Sequence, residues 1–105
     1  MTLSTHVLDS ARGEPASGVP VRLERNDGGE WAALATATTD GDGRVRDLGQ
    51  LAPGRHRLVF DTAAYLGPDA FFPEVVVVFE VTDPGRHLHV PLLLSPYSFT
   101  IYRGS

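Results

Sequence analysis

The chain has 105 residues, 42% of them hydrophobic and none of them cysteine, which predicts one domain over residues 1–105 with a single core and excludes disulfides, thiol nucleophiles and cysteine-ligated zinc. Its nine basic residues are all arginine and stand against 13 acidic ones, for a formal net charge of −4. Without lysine there is no Schiff-base chemistry, and without a basic stripe nucleic acid is not an expected partner.

No apolar run approaches the ~18 residues of a membrane-spanning helix. The start, Met1 to Val7, has neither a basic segment nor an apolar one, so it does not read as a signal peptide. A soluble cytoplasmic protein with no membrane partner is the expectation.

Leu3 to Asp9 alternates with period two, Leu3, Thr5 and Val7 against Ser4, His6 and Leu8, and predicts a strand. Asp9 to Gly18 is turn material. Val19 to Arg25 alternates again, and Pro20 suits an edge strand or a strand's first residues. Asn26-Asp27-Gly28-Gly29 predicts a hairpin turn into a strand over Trp31 to Thr38. Thr39-Asp40-Gly41-Asp42-Gly43-Arg44 is a loop; it lacks the further acidic ligands and closing glutamate of a calcium loop and reads as a tight turn.

Gly54 to Asp61 predicts a strand with His56, Leu58 and Phe60 on one face. Thr62 to Leu66 is the only helix-friendly stretch, and Gly67-Pro68 limits it to two turns. Glu74 to Val81 is a β-branched run expected to form a buried strand. Arg86 to Leu94 is the next strand, and Ser95-Pro96 separates it from a last one over Tyr97 to Tyr102. Seven or eight short strands at about ten-residue spacing predict an antiparallel sandwich or barrel.

His87 and His89 share a strand face with Pro91 and Leu93, opposite Leu88, Val90, Leu92 and Leu94, which read as core. An apolar outer face bearing histidine suggests an interface. Three histidines with one pair at i, i+2 would suit zinc, but spacing fixes no third ligand, and no metal or cofactor is expected. No Gly-x-Ser-x-Gly elbow occurs for a serine hydrolase. From the residues alone the reading ends at a sandwich with a histidine-bearing outer face.

Five segments carry a resemblance: Thr5-His6-Val7-Leu8-Asp9, Thr39 to Arg44, Phe72-Pro73-Glu74-Val75, His89 to Tyr97, and the final Tyr102-Arg103-Gly104-Ser105. They resemble 5-hydroxyisourate hydrolase, the transthyretin-like enzyme of urate breakdown, over essentially the whole chain. The last tetrapeptide separates that enzyme from transthyretin, the hormone carrier.

The resemblance implies an all-β, transthyretin-like sandwich of two antiparallel sheets with one short helix. It implies a homotetramer, a dimer of dimers with sites in the channel at the dimer–dimer interface. It implies cofactor-independent hydrolysis of the cyclic amide 5-hydroxyisourate to 2-oxo-4-hydroxy-4-carboxy-5-ureidoimidazoline. His6, Arg44, His89 and Ser105 are then the expected catalytic residues, and His6, Arg44, Tyr102 and Arg103 bind substrate. His6 or His89 takes a proton from water, Arg44 holds ring oxygens and developing charge, and Ser105 holds water or a histidine. His87 is expected to be structural.

The chain departs from the family pattern at Leu88, where an aromatic is usual, and at Phe99 and Ile101, which replace tyrosine and threonine. The competing readings are a non-catalytic transthyretin-like binder of small ligands, against which the histidines and arginine argue, and a generic accessory sandwich module.

Overall fold

The computed structural model describes residues 2–83 and 85–104. Two four-stranded paths face each other across one hydrophobic cluster. In the first sheet the order is β2 (Glu14–Pro15), β1 (Leu3–Asp9), β8 (Leu88–Ser95) and β9 (Ser98–Ile101), and β5 (Arg44–Val45) pairs β1 beside β2. In the second it is β4 (Glu30–Thr38), β3 (Pro20–Asp27), β6 (Gly54–Phe60) and β7 (Val75–Val81).

The alternation read along β1 is the burial pattern observed. Leu3, Thr5, Val7 and Asp9 point into the sandwich, and Ser4, His6 and Leu8 point out. Leu23 of β3, Leu58 and Phe60 of β6, and Leu92 and Leu94 of β8 close the core. Each such side chain contributes about 1.5–3 kcal/mol by leaving water. The β3–β4 hairpin turns where Asn26 Oδ1 accepts the Gly29 N–H at 3.0 Å, with Gly28 and Gly29 at positive φ. Pro20 is the first residue of a central strand, where its missing N–H costs least.

Three features depart from the sequence reading. The β1–β8 pair is parallel, in seven register pairs from Leu3↔Leu88 to Asp9↔Leu94, within otherwise antiparallel sheets. A parallel neighbour needs a long crossover, and here the chain between the two strands, including the whole second sheet, provides it. β7 is an edge strand rather than a buried one: Val75 and Val81 are buried, but Val76 and Val78 are 45% and 52% exposed. An unbroken apolar run cannot tell one packed face from two. The last strand is shorter than expected, and Tyr97 sits in the turn before it, 80% exposed.

The helix α1 (Ala63–Leu66) is a single turn. It is tied to β1 by the Tyr65 hydroxyl, which donates to Asp9 Oδ2 at 2.7 Å. Asp9 Oδ1 accepts the N–H groups of Ala11 and Arg12. Burial pushes the Asp9 carboxyl up, but the Tyr65 hydroxyl, these N–H groups and the Arg12 charge together bring it below the ordinary value. Burial and the same carboxylate push Tyr65 up to about 12.

The signs are opposite. The Asp9 contribution is present above the unfolded carboxyl pKa of ~4 and lost as pH falls, whereas the Tyr65 contribution is present below ~10 and lost as pH rises to about 12. Tyr65→Phe is expected to lower stability by about 1–2 kcal/mol at neutral pH and to flatten both limbs of a thermal-stability profile against pH. Unchanged limbs would show that the pair contributes nothing.

Candidate active site

The outward residues of three strands meet on the outer face of the first sheet. Register sets His6 opposite Arg44 across β1–β5 and Ser4 opposite His89 across β1–β8. An open depression of about 260 Å³ lies there, lined by Ser4, Arg44, Arg46, His87 and His89 with Thr5 and Val45. A larger one, about 460 Å³, opens on the second sheet beside Arg22, Asp61 and Glu74 and holds no histidine. Chemistry, rather than size, marks the first as the candidate site. Among the described residues no three His, Asp or Glu side chains are grouped as metal ligands.

The loop before β5 positions Arg44 and fixes His6. Asp40 Oδ1 accepts the N–H of Asp42 at 2.9 Å and of Arg44 at 3.0 Å, and Asp40 N–H donates to Arg44 O at 3.0 Å. Gly43 lies at φ +75°, and a Cβ there would come within 2.4 Å of Val7 O. The loop therefore presses directly on β1, where Val7 N–H donates to Gly43 O at 2.7 Å. Between these anchors the Asp42 carbonyl is presented to His6 Nε2 at 2.9 Å. A carbonyl only accepts, so Nε2 of His6 carries a proton.

His89 is half-buried and sits in a hydrogen-bonded chain. Its Nδ1 is 2.8 Å from Ser4 Oγ, which is 2.9 Å from His87 Nε2, and His87 Nδ1 is 2.7 Å from Thr2 Oγ1. Burial lowers the His89 pKa, and Arg44, His6 and His87 lower it further, while a hydrogen bond with the Ser4 backbone opposes them. The net shift favours the unprotonated imidazole, the form that accepts a proton.

Beyond β9 the chain runs back along β8. Tyr102 N–H donates to Pro91 O at 3.3 Å and Gly104 N–H to His89 O at 2.7 Å. A Cβ on Gly104 would stand 2.7 Å from His89 Cδ2, so residue 104 packs on the imidazole itself. Gly104→Ala is expected to shift that ring and lower kcat by roughly 10²-fold with the thermal midpoint little changed; an unchanged kcat would show that the ring has room to spare.

Within the single chain, His6, Arg44 and His89 come together, whereas one expected substrate-binding residue, Arg103, lies apart from them. Tyr102 is 51% exposed, and Arg103 lines a separate depression of about 100 Å³ with Glu80, Asp83 and Arg86. Ser105 lies outside the described residues. Leu88, where the sequence departs from the family pattern, faces the core as expected. Ser4 and the Asp42 carbonyl were missed. Ser4 shares the face of His6 by alternation and was findable; a backbone carbonyl leaves no side-chain signal.

The model of the HIUase/Transthyretin family matches residues 3–104. The chain belongs to that family. It is 47% identical to the Uric acid degradation bifunctional protein TTL of Arabidopsis thaliana over 98% of this chain, which spans only 37% of that longer protein. It is 45% identical to the 5-hydroxyisourate hydrolase of Salmonella typhimurium, covering 98% of this chain and 80% of that one.

Among solved structures, the 5-hydroxyisourate hydrolase of Klebsiella pneumoniae superposes with a TM-score of 0.86 at 36% identity, covering 99% and 98% of the two chains. Sea bream transthyretin in complex with thyroxine superposes with 0.91 at 32%, covering 99% and 95%. The fold of the HIUase/Transthyretin family therefore accommodates a hydrolase and a hormone-binding protein almost equally well. Side chains at the site, not backbone shape, must separate them.

Proposed function

We propose that this protein hydrolyses 5-hydroxyisourate to 2-oxo-4-hydroxy-4-carboxy-5-ureidoimidazoline in urate degradation, with no cofactor. The observation that carries this reading is the meeting of His6, Arg44 and a half-buried His89 on the outer face of one sheet. A carrier needs no base; a hydrolase does.

In this reading His89 takes a proton from water as the water oxygen bonds to the ring acyl carbon. Arg44, always charged and a planar fork of donors, holds the oxygen on which negative charge develops. The carbon–nitrogen bond of the ring then breaks, and the departing nitrogen takes the proton that His89 took from water, while His6 binds the ring. The carbonyl of Asp42 holds His6 Nε2–H and leaves Nδ1 to face the chemistry. Tyr102 binds the ring, Arg103 orders the terminal segment, and Ser105 holds water or a histidine.

The depression is open in the single chain, which fits an assembly in which a second copy covers it. The reading therefore includes a homotetramer, a dimer of dimers in the cytoplasm, with sites at the dimer–dimer interface. The sedimented mass is then near four times 11.3 kDa. The decisive assay follows the absorbance of freshly generated 5-hydroxyisourate. Purified protein is expected to speed its loss far beyond the spontaneous decay. An unchanged decay, with binding of an aromatic ligand, would establish a transthyretin-like carrier instead.

A further inference from the structure

Among the described residues Ser4 carries the one hydroxyl shared by two imidazoles, and neither it nor His87 has a role in the hydrolysis described above. Its Oγ stands 2.8 Å from His89 Nδ1 and 2.9 Å from His87 Nε2, while His87 Nδ1 reaches Thr2 Oγ1 at 2.7 Å. A serine hydroxyl has one proton to donate and two lone pairs with which to accept. When its O–H points to one ring, it can only accept from the other. The protonation of the two facing nitrogens is thereby coupled in opposite senses.

We propose that His87, acting through Ser4, is a positioning residue that sets the tautomer of His89. Ser4 O–H donates to His87 Nε2, His87 Nδ1–H donates to Thr2, and Ser4 Oγ accepts Nδ1–H of His89. The Nε2 lone pair of His89 is then left for the water that attacks the substrate. His87 does not touch the substrate. It orients the base as a carboxylate orients histidine in other hydrolytic sites, but with an exposed imidazole as the partner.

The parallel register sets Ser4 opposite His89 of β8, and His87, two residues earlier and just before that strand, reaches the same hydroxyl. Other charged groups face His89 as well, Arg44 and Arg46 from β5 and its end and His6 from β1. They act on it by charge and cannot choose between its nitrogens in this way, because none is hydrogen-bonded to Nδ1.

The inference rests on the hydrolase reading, and its test separates the two. His87→Glu presents an obligatory acceptor to Ser4, which preserves the arrangement. His87→Arg presents an obligatory donor, which turns the Ser4 O–H toward His89 Nδ1 and moves the ring proton to Nε2. His87 is exposed, so both variants are expected to fold.

His87→Glu should keep kcat within about threefold of the unsubstituted protein, whereas His87→Arg should lose roughly tenfold or more in kcat with KM nearly unchanged. With kcat compared on its pH-independent plateau, where the opposite charges no longer change how much His89 is unprotonated, the two substitutions should become equal in a Ser4→Ala background, because the hydroxyl is gone. Nitrogen-15 spectra of the His89 ring should show the proton on Nδ1 in the unsubstituted protein and in His87→Glu, and on Nε2 in His87→Arg.

Equal kcat for the Glu and Arg variants, a difference that persists without Ser4, or an Nε2–H tautomer in the unsubstituted protein would each overturn the proposal. If the unsubstituted protein hydrolyses nothing, the hydrolase reading fails, and the ring spectra still decide the tautomer.

Discussion

His89→Ala is expected to lower kcat for 5-hydroxyisourate by about 10³-fold while KM changes by less than about threefold. In the proposed mechanism the substitution removes the group that takes a proton from water and leaves Arg44, the group assigned to the ring oxygens. Loss confined to kcat would mean that the interaction removed is made in the transition state. The side chain is half-buried on an outward face, so its truncation leaves the core between the sheets intact.

The pH profile supplies the sign. A base works only when unprotonated, so kcat should fall as pH drops through the His89 pKa. Burial, then Arg44, His6 and His87, lower that pKa, so the midpoint lies below the 6.5 of an ordinary histidine. A kcat within threefold of the unsubstituted enzyme, or an acid limb above that value, would remove His89 from the role of base.

Gly43→Ala is expected to have the largest effect on stability that also reaches the site. At φ +75° any other L-residue is strained, by about 1–2 kcal/mol. The added Cβ would also stand 2.4 Å from Val7 O, a backbone atom held in the ladder that cannot swing aside. Relief requires the loop to lift from β1, which breaks the Val7 N–H bond to Gly43 O and costs about 1–3 kcal/mol more.

The sum, about 2–5 kcal/mol, should appear as a large fall in the denaturant midpoint. The same movement withdraws the Asp42 carbonyl from His6 and shifts Arg44, so kcat should drop even where the variant remains folded. A midpoint within about 0.5 kcal/mol of the unsubstituted protein would show that the loop lifts freely and does not hold the site.

Much of this could be read from the chain. Alternation along Leu3 to Asp9 set Ser4 and His6 outward, and alternation along Leu88 to Leu94 did the same for His89, because side-chain direction on a strand is a local property of the pleat. The turn at Asn26 to Gly29 and the tight loop at Asp40 to Arg44 were equally local, written in residues that tolerate positive φ or accept backbone N–H groups.

Which strand lies beside which was not local. Ser4 and His89 are 85 residues apart, and their contact exists because β8 lies parallel to β1 in a particular register. The edge position of β7, the turn of residues 102–104 back onto His89, and the placing of Arg103 away from the histidines follow from the same cause. Period two tells each strand which face to bury; only the competition among all strands for backbone partners and for the shared core decides neighbours, direction and register. Residue types and their facing were therefore legible in the sequence, and their assembly into one site was a decision of the tertiary structure.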